Sequence, residues 1–296
     1  MPIAPKVGQQ AIPFTILDAS AVLPLSLGGG SADALKLVID YLNGTKQPTG
    51  PTVQFYDARA SEGVAAFTNL EVQAANQILA QIGRQGTSLH TAARFTHAEW
   101  AETQRQIASA KWPLAGITFA SANPGTPGGK YDAISQFWYS FYDDRWQTDG
   151  NGVVLRQANG NRKPYMGAVQ ICKILHLMAP DAFPIFDEVL RKTYMPRQRA
   201  TRNTVLTSRG GAGLPHPDES FAWEPFRSDL VANQAAGVFS ALRVGLTASV
   251  GTVVKSATSR VPDTFVTAGK VHLAQWAAQQ MTDLRLMDIM AWQLFA

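Results

Sequence analysis

The sequence predicts a mainly α protein with only a few short strands, and three observations carry that expectation. Apolar residues recur at helical spacing through most of the chain, as in ADALKLVIDYL (32–42) and YMGAVQICKILHLMA (165–179). Alternating stretches of strand length are scarce, and VQFYDARA (53–60) is the clearest candidate for a short strand or extended segment. Glycine and proline clusters fall between the periodic segments, where helices have to stop.

Taken in order, residues 1–30 read as an irregular arm ending in LGGGS. No lysine–serine or lysine–threonine pair follows Gly28–Gly30, so the run reads as a turn before a helix rather than a phosphate loop. Ser31 stands where a cap would, and Gly44 stops the helix. TKQPTGPT (45–52) is a linker. NLEVQAANQILAQIG (69–83) and THAEWAETQRQIASA (96–110) read as helices, the second with Thr96 and Glu99 at the spacing of a capping box. SANPGTPGGKYD (121–132) is the strongest breaker, and it divides one globular unit into an N-terminal lobe, 1–125, and a helical lobe, 126–296. Beyond it come an aromatic-dense helix, AISQFWYSFYDDRW (133–146), a polar turn, QTDGNG (147–152), and the apolar helix around Ile171 that Pro180 ends. DEVLRKTYM (187–195) is the next helix, followed by a basic segment running into a glycine-rich loop. RSDLVANQAAGVFSALRVGLTA (227–248) and AGKVHLAQWAAQQMTDLRLMDIMAWQLF (268–295) read as helical, the latter broken near its middle.

Composition bounds the function. With 296 residues, 46% hydrophobic and 16% charged, the chain has enough material for one large core or two modest ones, and whole-chain disorder is excluded. The single cysteine, Cys172, excludes an intramolecular disulfide, a multi-thiolate zinc site and an iron–sulfur cluster. No histidine or carboxylate pair has metal-ligand spacing and no serine-hydrolase elbow occurs, so neither metal nor cofactor is expected. A net charge of +4 permits a polyanionic partner without demanding one. The opening MPIAPKVGQQAIPF lacks a basic segment followed by an apolar one, and no apolar run approaches the ~20 residues of a membrane span. The expected setting is the cytoplasm, with no membrane and no obligate protein partner.

The chemistry concentrates in HLMAPDAFPIFDEVLRK (176–192). A proline-stiffened apolar turn, Phe183–Phe186, ends in Asp187, which opens a helix. As a cap, Asp187 satisfies free backbone N–H groups; beside a cleft, the same carboxylate is a catalytic acid. Lys173, fourteen residues earlier, sits among Cys172, Ile174 and Leu175, which belong in a core. Either it snorkels to the rim, or it is partly desolvated and serves as an amine nucleophile. A helix, a tight turn and a second helix start bring both side chains toward one cleft.

The segment ICKILHLMAPDAFPIFDEVLRKTY resembles the core of helix–hairpin–helix DNA glycosylases, the oxoguanine-glycosylase-like superfamily, in which a lysine-bearing helix leads through a Phe-Pro-Val-like turn to an aspartate. It covers about 25 to 35 residues, and the chain is identified as a divergent bacterial member. The family's glycine-rich hairpin is absent apart from Gly167, and the Lys–Asp gap is shorter than in typical bifunctional members. The resemblance implies a two-lobed, helix–hairpin–helix glycosylase-like fold and an N-glycosylase acting on a damaged or modified base in DNA. Asp187 would be the essential aspartate and Lys173 the lysine of lyase-coupled members. Repair and anti-phage defence against hypermodified bases such as glucosylated hydroxymethylcytosine are both compatible.

Such an enzyme extrudes its target nucleotide into a pocket lined by aromatic or apolar groups. Candidates are Trp138 and Phe141 from the aromatic helix, with Tyr165, His176 and Trp223. Helical spacing cannot turn all the aromatics of 133–146 into one site, so most belong to the core. After Asp187 come Arg191, Lys192, Arg197, Arg199, Arg202 and Arg209, with no acid from 189 to 217. Read as a phosphate-holding surface, they make binding fall as salt rises; read otherwise, they are a solvated loop. RNTVLTSRGGAGLPHP (202–217) is expected to be a flap that orders on DNA. The rival readings are a non-enzymatic helical DNA-binding protein, and an unrelated helical protein whose basic loop takes an acidic protein.

Overall fold

A computed structural model of the chain describes residues 24–27, 30–42, 101, 116–143, 149–151, 153–156, 158, 160, 168–213, 217–248 and 273–295. The fold is mainly α, as expected. Two short strands, β1 (Pro24–Leu27) and β2 (Gly30–Asp33), pair antiparallel with Pro24 opposite Asp33 and Leu27 opposite Gly30. Eight helices follow among the described residues: α1 (Ala34–Leu42), α2 (Lys130–Asp143), α3 (Ala168–Met178), α4 (Glu188–Ser208), α5 (Pro217–Ala235), α6 (Val238–Ala248), α7 (Leu273–Gln280) and α8 (Asp283–Phe295). The expected linker, strand and two helices between residues 45 and 110 lie outside the described residues, apart from Ala101, which is helical.

Three boundaries differ from expectation. Residues 24–27 and 30–33, on either side of Gly28 and Gly29, are paired strands instead of the end of an arm; Leu25 and Leu27 alternate with polar Ser26, as a strand requires. Ser31 therefore pairs with Ser26, and α1 begins at Ala34. The helix after Asp187 does not end near Met195 but runs through Pro196 to Ser208. Packing of α4 along α5 buries Tyr194 and Val205, and tertiary burial outweighs the local penalty of proline. The segment 227–248 is divided at Gly237, whose φ of 73° breaks the helix between α5 and α6. The division of 268–295 near its middle is present, at Met281 and Thr282. Arg243 holds that break: its guanidinium donates to the Ala278 and Met281 carbonyls at 2.6 and 2.8 Å and pairs with Asp283 at 2.7 Å.

Helix α8 is the centre of the core. Leu284, Leu286, Met287, Ile289, Met290 and Ala291 are all buried, and the helix packs on α1, α4 and α5. A helix apolar on nearly every side belongs inside. The aromatic residues form a second part of the same core. Trp138 meets Trp223 edge-on at 6.1 Å, Trp223 meets Phe119 and Tyr131, and Tyr194 meets Phe226 at 5.1 Å.

His176 is fully buried on α3, where Nδ1–H donates to the Phe183 carbonyl at 2.7 Å and ties the helix to the turn after it. Burial lowers its pKa to about 3, with the nearby Arg285 charge acting the same way. The ring's contribution to stability is full above its unfolded pKa of 6.5 and is lost as pH falls toward 3. That loss amounts to roughly 5 kcal/mol at 1.36 kcal/mol for each pH unit. Urea titrations from pH 7 to 3 should show His176→Gln losing stability less steeply than the native chain. Parallel slopes would mean the ring is protonated inside the fold at little cost.

Candidate active site

The turn between α3 and α4 is built by burial. Phe183, Ile185 and Phe186 are each 5% exposed or less. Phe183 packs on Phe137, and Phe186 meets Tyr194 and Phe226. The Ala182 and Phe183 amides both donate to the Ala179 carbonyl, which folds the chain back after α3. Asp187 then adopts an extended backbone (φ −83°, ψ −175°) and caps α4: its Oδ1 accepts from Val189 N at 2.9 Å and Leu190 N at 3.0 Å. Among the described residues Oδ2 accepts no hydrogen bond, so capping occupies one carboxylate oxygen and leaves the other.

Asp187 and Lys173 line the same cavity, of about 40 Å³, together with Tyr41, Ile185, Arg285, Asp288, Ile289 and Trp292. That volume holds a water or two. Lys173 is 4% exposed. Burial lowers its pKa to about 8, against the Asp187 charge, which raises it, while the Arg285 charge lowers it further. Burial likewise raises the pKa of Asp187, opposed by the Leu190 amide, the Lys173 charge and the Val189 amide. Both groups are thus moved toward their neutral forms by desolvation and held charged by each other. At neutral pH Lys173 remains largely an ammonium, with about a tenth as free amine.

Five residues of this site were not singled out from sequence: Tyr41 on α1, and Arg285, Asp288, Ile289 and Trp292 on α8. Arg285 donates to the Asp288 carboxylate and the Tyr41 hydroxyl and lies over the Tyr41 ring, 5.3 Å from its centre. A signal was available. In LRLMDIM (284–290) an arginine and an aspartate stand three apart in a run otherwise apolar, which only a buried, paired position tolerates.

Several expected site residues lie elsewhere. Trp138 and Trp223 are 1% and 2% exposed and sit in the aromatic core, where Trp138 Nε1–H reaches Cys172 Sγ at 3.3 Å; neither borders the cavity. His176 is also a core residue, turned to the Phe183 carbonyl. Tyr165 and the side chain of Phe141 lie outside the described residues. As far as Ser208 the basic run is carried on a continuous helix, not on a loop. At 1.5 Å per residue, Arg202 stands roughly 22 Å along α4 from Asp187. Arg191 and Lys192 are in the first turn, where exposed Lys192 pairs with Glu188 at 2.7 Å. The side chains of Arg197 and Arg199 lie outside the described residues.

Arg209 is a correction. Its side chain is 2% exposed and bidentate to Asp132, at 2.9 and 2.8 Å. The remaining N–H groups reach the carbonyls of Pro124, Ala212 and Gly213. All five guanidinium donors are used within the protein, so Arg209 is a structural clamp and not part of a phosphate-binding rim. Residues 203–208, expected in a flap, are helical, and Arg209 pins the chain just beyond them to the 121–132 loop. Gly125 in that loop lies so near Ser208 that a Cβ would stand 2.6 Å from its Oγ. The counter-charge was invisible in sequence because it comes from 77 positions away.

Among the described residues no group of histidine, cysteine and carboxylate side chains is arranged to hold a metal ion, and no helix is long and apolar enough to cross a membrane. Comparison with protein-family models, with curated proteins and with solved structures finds no match in any of the three.

Proposed function

We propose that the chain is a DNA N-glycosylase whose reacting groups are Asp187 and Lys173. The observation that supports it best is their convergence. An ammonium and a carboxylate from two successive helices share one small, largely desolvated cavity, and the carboxylate keeps one oxygen clear of its capping bonds.

Cleavage of an N-glycosidic bond sends the bonding pair out with the base and leaves positive charge on the sugar. Asp187 Oδ2 stabilises that charge, the more so because water is largely excluded. A water in the cavity then adds to C1′ and gives its proton to Asp187. In the lyase-coupled route Lys173 Nζ, as the free amine, bonds to C1′ instead. Opening of the sugar ring at O4′ then leaves a protonated imine between Nζ and C1′. The cavity is too small for a base as well as the reacting atoms. In this reading the extruded base rests on Trp292, half-buried on the cavity wall, and Arg191 and Arg202 contact phosphates. DNA is the partner, and repair and defence against modified phage genomes remain parallel expectations for the substrate.

Mass spectrometry of bases released from a panel of cellular and phage DNAs tests the activity; release of none would end this reading. Borohydride reduction tests the lysine. A covalent DNA adduct should form, vanish in Lys173→Ala, and accumulate about tenfold faster at pH 9 than at pH 7, following the free-amine fraction across a pKa of about 8. Base release without any adduct would assign the attack to water alone.

A further inference from the structure

We propose that Arg285 is a positioning residue for Lys173: gripped by the Asp288 carboxylate and the Tyr41 hydroxyl, its fixed charge biases the lysine toward the free amine, and Asp288 sets the limit of that bias. This deepens the glycosylase reading and rests on it for its purpose, though not for its test.

The argument begins with what faces Lys173. On its own helix the neighbouring ionisable groups are Cys172 and His176, and His176 is neutral in the fold. From the start of α4 comes Asp187. From α8 come Arg285 and Asp288, and from α1 the Tyr41 hydroxyl. Among the described residues, two cations and two carboxylates therefore meet around a cavity of about 40 Å³. Arg285 is 7% exposed and Asp288 3%, so solvent screens their charges little.

A simple buried ion pair needs one cation and one anion. This site spends a second pair on the same wall, and that pair is rigid. Arg285 and Asp288 are three apart on one helix and hydrogen-bonded, and the arginine is also held by the Tyr41 hydroxyl and ring. The guanidinium does not lose its proton in a protein, so it is a permanent positive charge facing a group that can lose one. Lys173 faces that frame across the cavity: the Asp187 charge favours its ammonium form, and the Arg285 charge favours the free amine. Burial is the larger cause that favours the free amine, and the Arg285 charge adds to it against the opposing charge of Asp187.

The test measures the lysine directly and needs no DNA. Competitive labelling of the full chain with acetic anhydride across pH 6–11, read by mass spectrometry of the Lys173 peptide, gives its titration midpoint. Arg285→Gln, which removes the positive charge, should move the midpoint up by about one pH unit. Asp288→Asn, nearly isosteric, should move it down by a similar amount. Arg285→Lys, which keeps the charge, should leave it near the native value. Packing damage alone would expose the lysine and push every variant upward together. Opposite shifts support the proposal; a Lys173 midpoint in folded Asp288→Asn that is unmoved or raised overturns it, even if Arg285→Gln does not fold. Opposite shifts in a chain that releases no base would leave the electrostatic frame standing and remove the glycosylase reading. Base release with an unmoved midpoint would do the reverse.

Discussion

On the proposed glycosylase reading, Asp187→Asn is expected to slow base release by about 10²–10⁴-fold while leaving the fold and DNA affinity nearly intact. The substitution separates two roles that sequence alone could not. Asparagine is as good a helix cap as aspartate, and its amide oxygen can still accept from the Val189 and Leu190 amides, which Oδ1 now serves at 2.9 and 3.0 Å. What disappears is the negative charge on the second oxygen, the one free to face a developing cation. The thermal midpoint should therefore change little, whereas Asp187→Ala should lose about 1 kcal/mol of capping as well. The comparison is single-turnover base release beside a melting curve and a binding isotherm. An Asn variant that releases base at the native rate would show Asp187 to be a cap and nothing more.

The second large effect concerns Arg209. Arg209→Ala should cost about 3–5 kcal/mol of stability, because it leaves the Asp132 carboxylate, 5% exposed, without its cation. Asp132 would retain only the Gly128 amide, at 2.8 Å. For a chain of this size the melting temperature should fall by about 10 °C. Removing both partners together should cost less than the sum of the single changes, since no uncompensated charge stays behind. The salt dependence of DNA binding should not change. A variant of native stability with a shallower salt slope would return Arg209 to the phosphate surface and contradict its placement in the core.

The two cases differ in what the linear chain can reveal. Lys173 and Asp187 were legible because their separation spans one helix, one turn and one helix start. Local geometry over fourteen residues nearly dictates where such side chains go. The turn was legible for the same reason: Phe183–Phe186 is apolar and proline-stiffened, and it has to fold inward. The reading of the basic run failed at Arg209, because charge sign along a sequence says nothing about which partner a residue meets in the fold. It also failed because α4 is longer than local propensity suggests, Pro196 being overridden by packing on α5.

The aromatic residues mark the same limit. Trp138 and Trp223 are chemically suited to a base pocket and equally to a core, and the choice depends on their meeting each other and Phe119 from distant parts of the chain.

By itself, then, the sequence determined the helical class, the position of most breaks in the described segments, and the adjacency of an amine to a carboxylate across one turn. These follow from periodicity and from turn chemistry, which act over a few residues. Only the tertiary structure decided that Arg285, Asp288 and Tyr41 complete the cavity, and that Arg209 closes on Asp132 inside the protein. Those pairings join residues 77 and 244 positions apart. One is a buried ion pair and the other a guanidinium held by a neutral phenol, and both take their strength from a core that has excluded water.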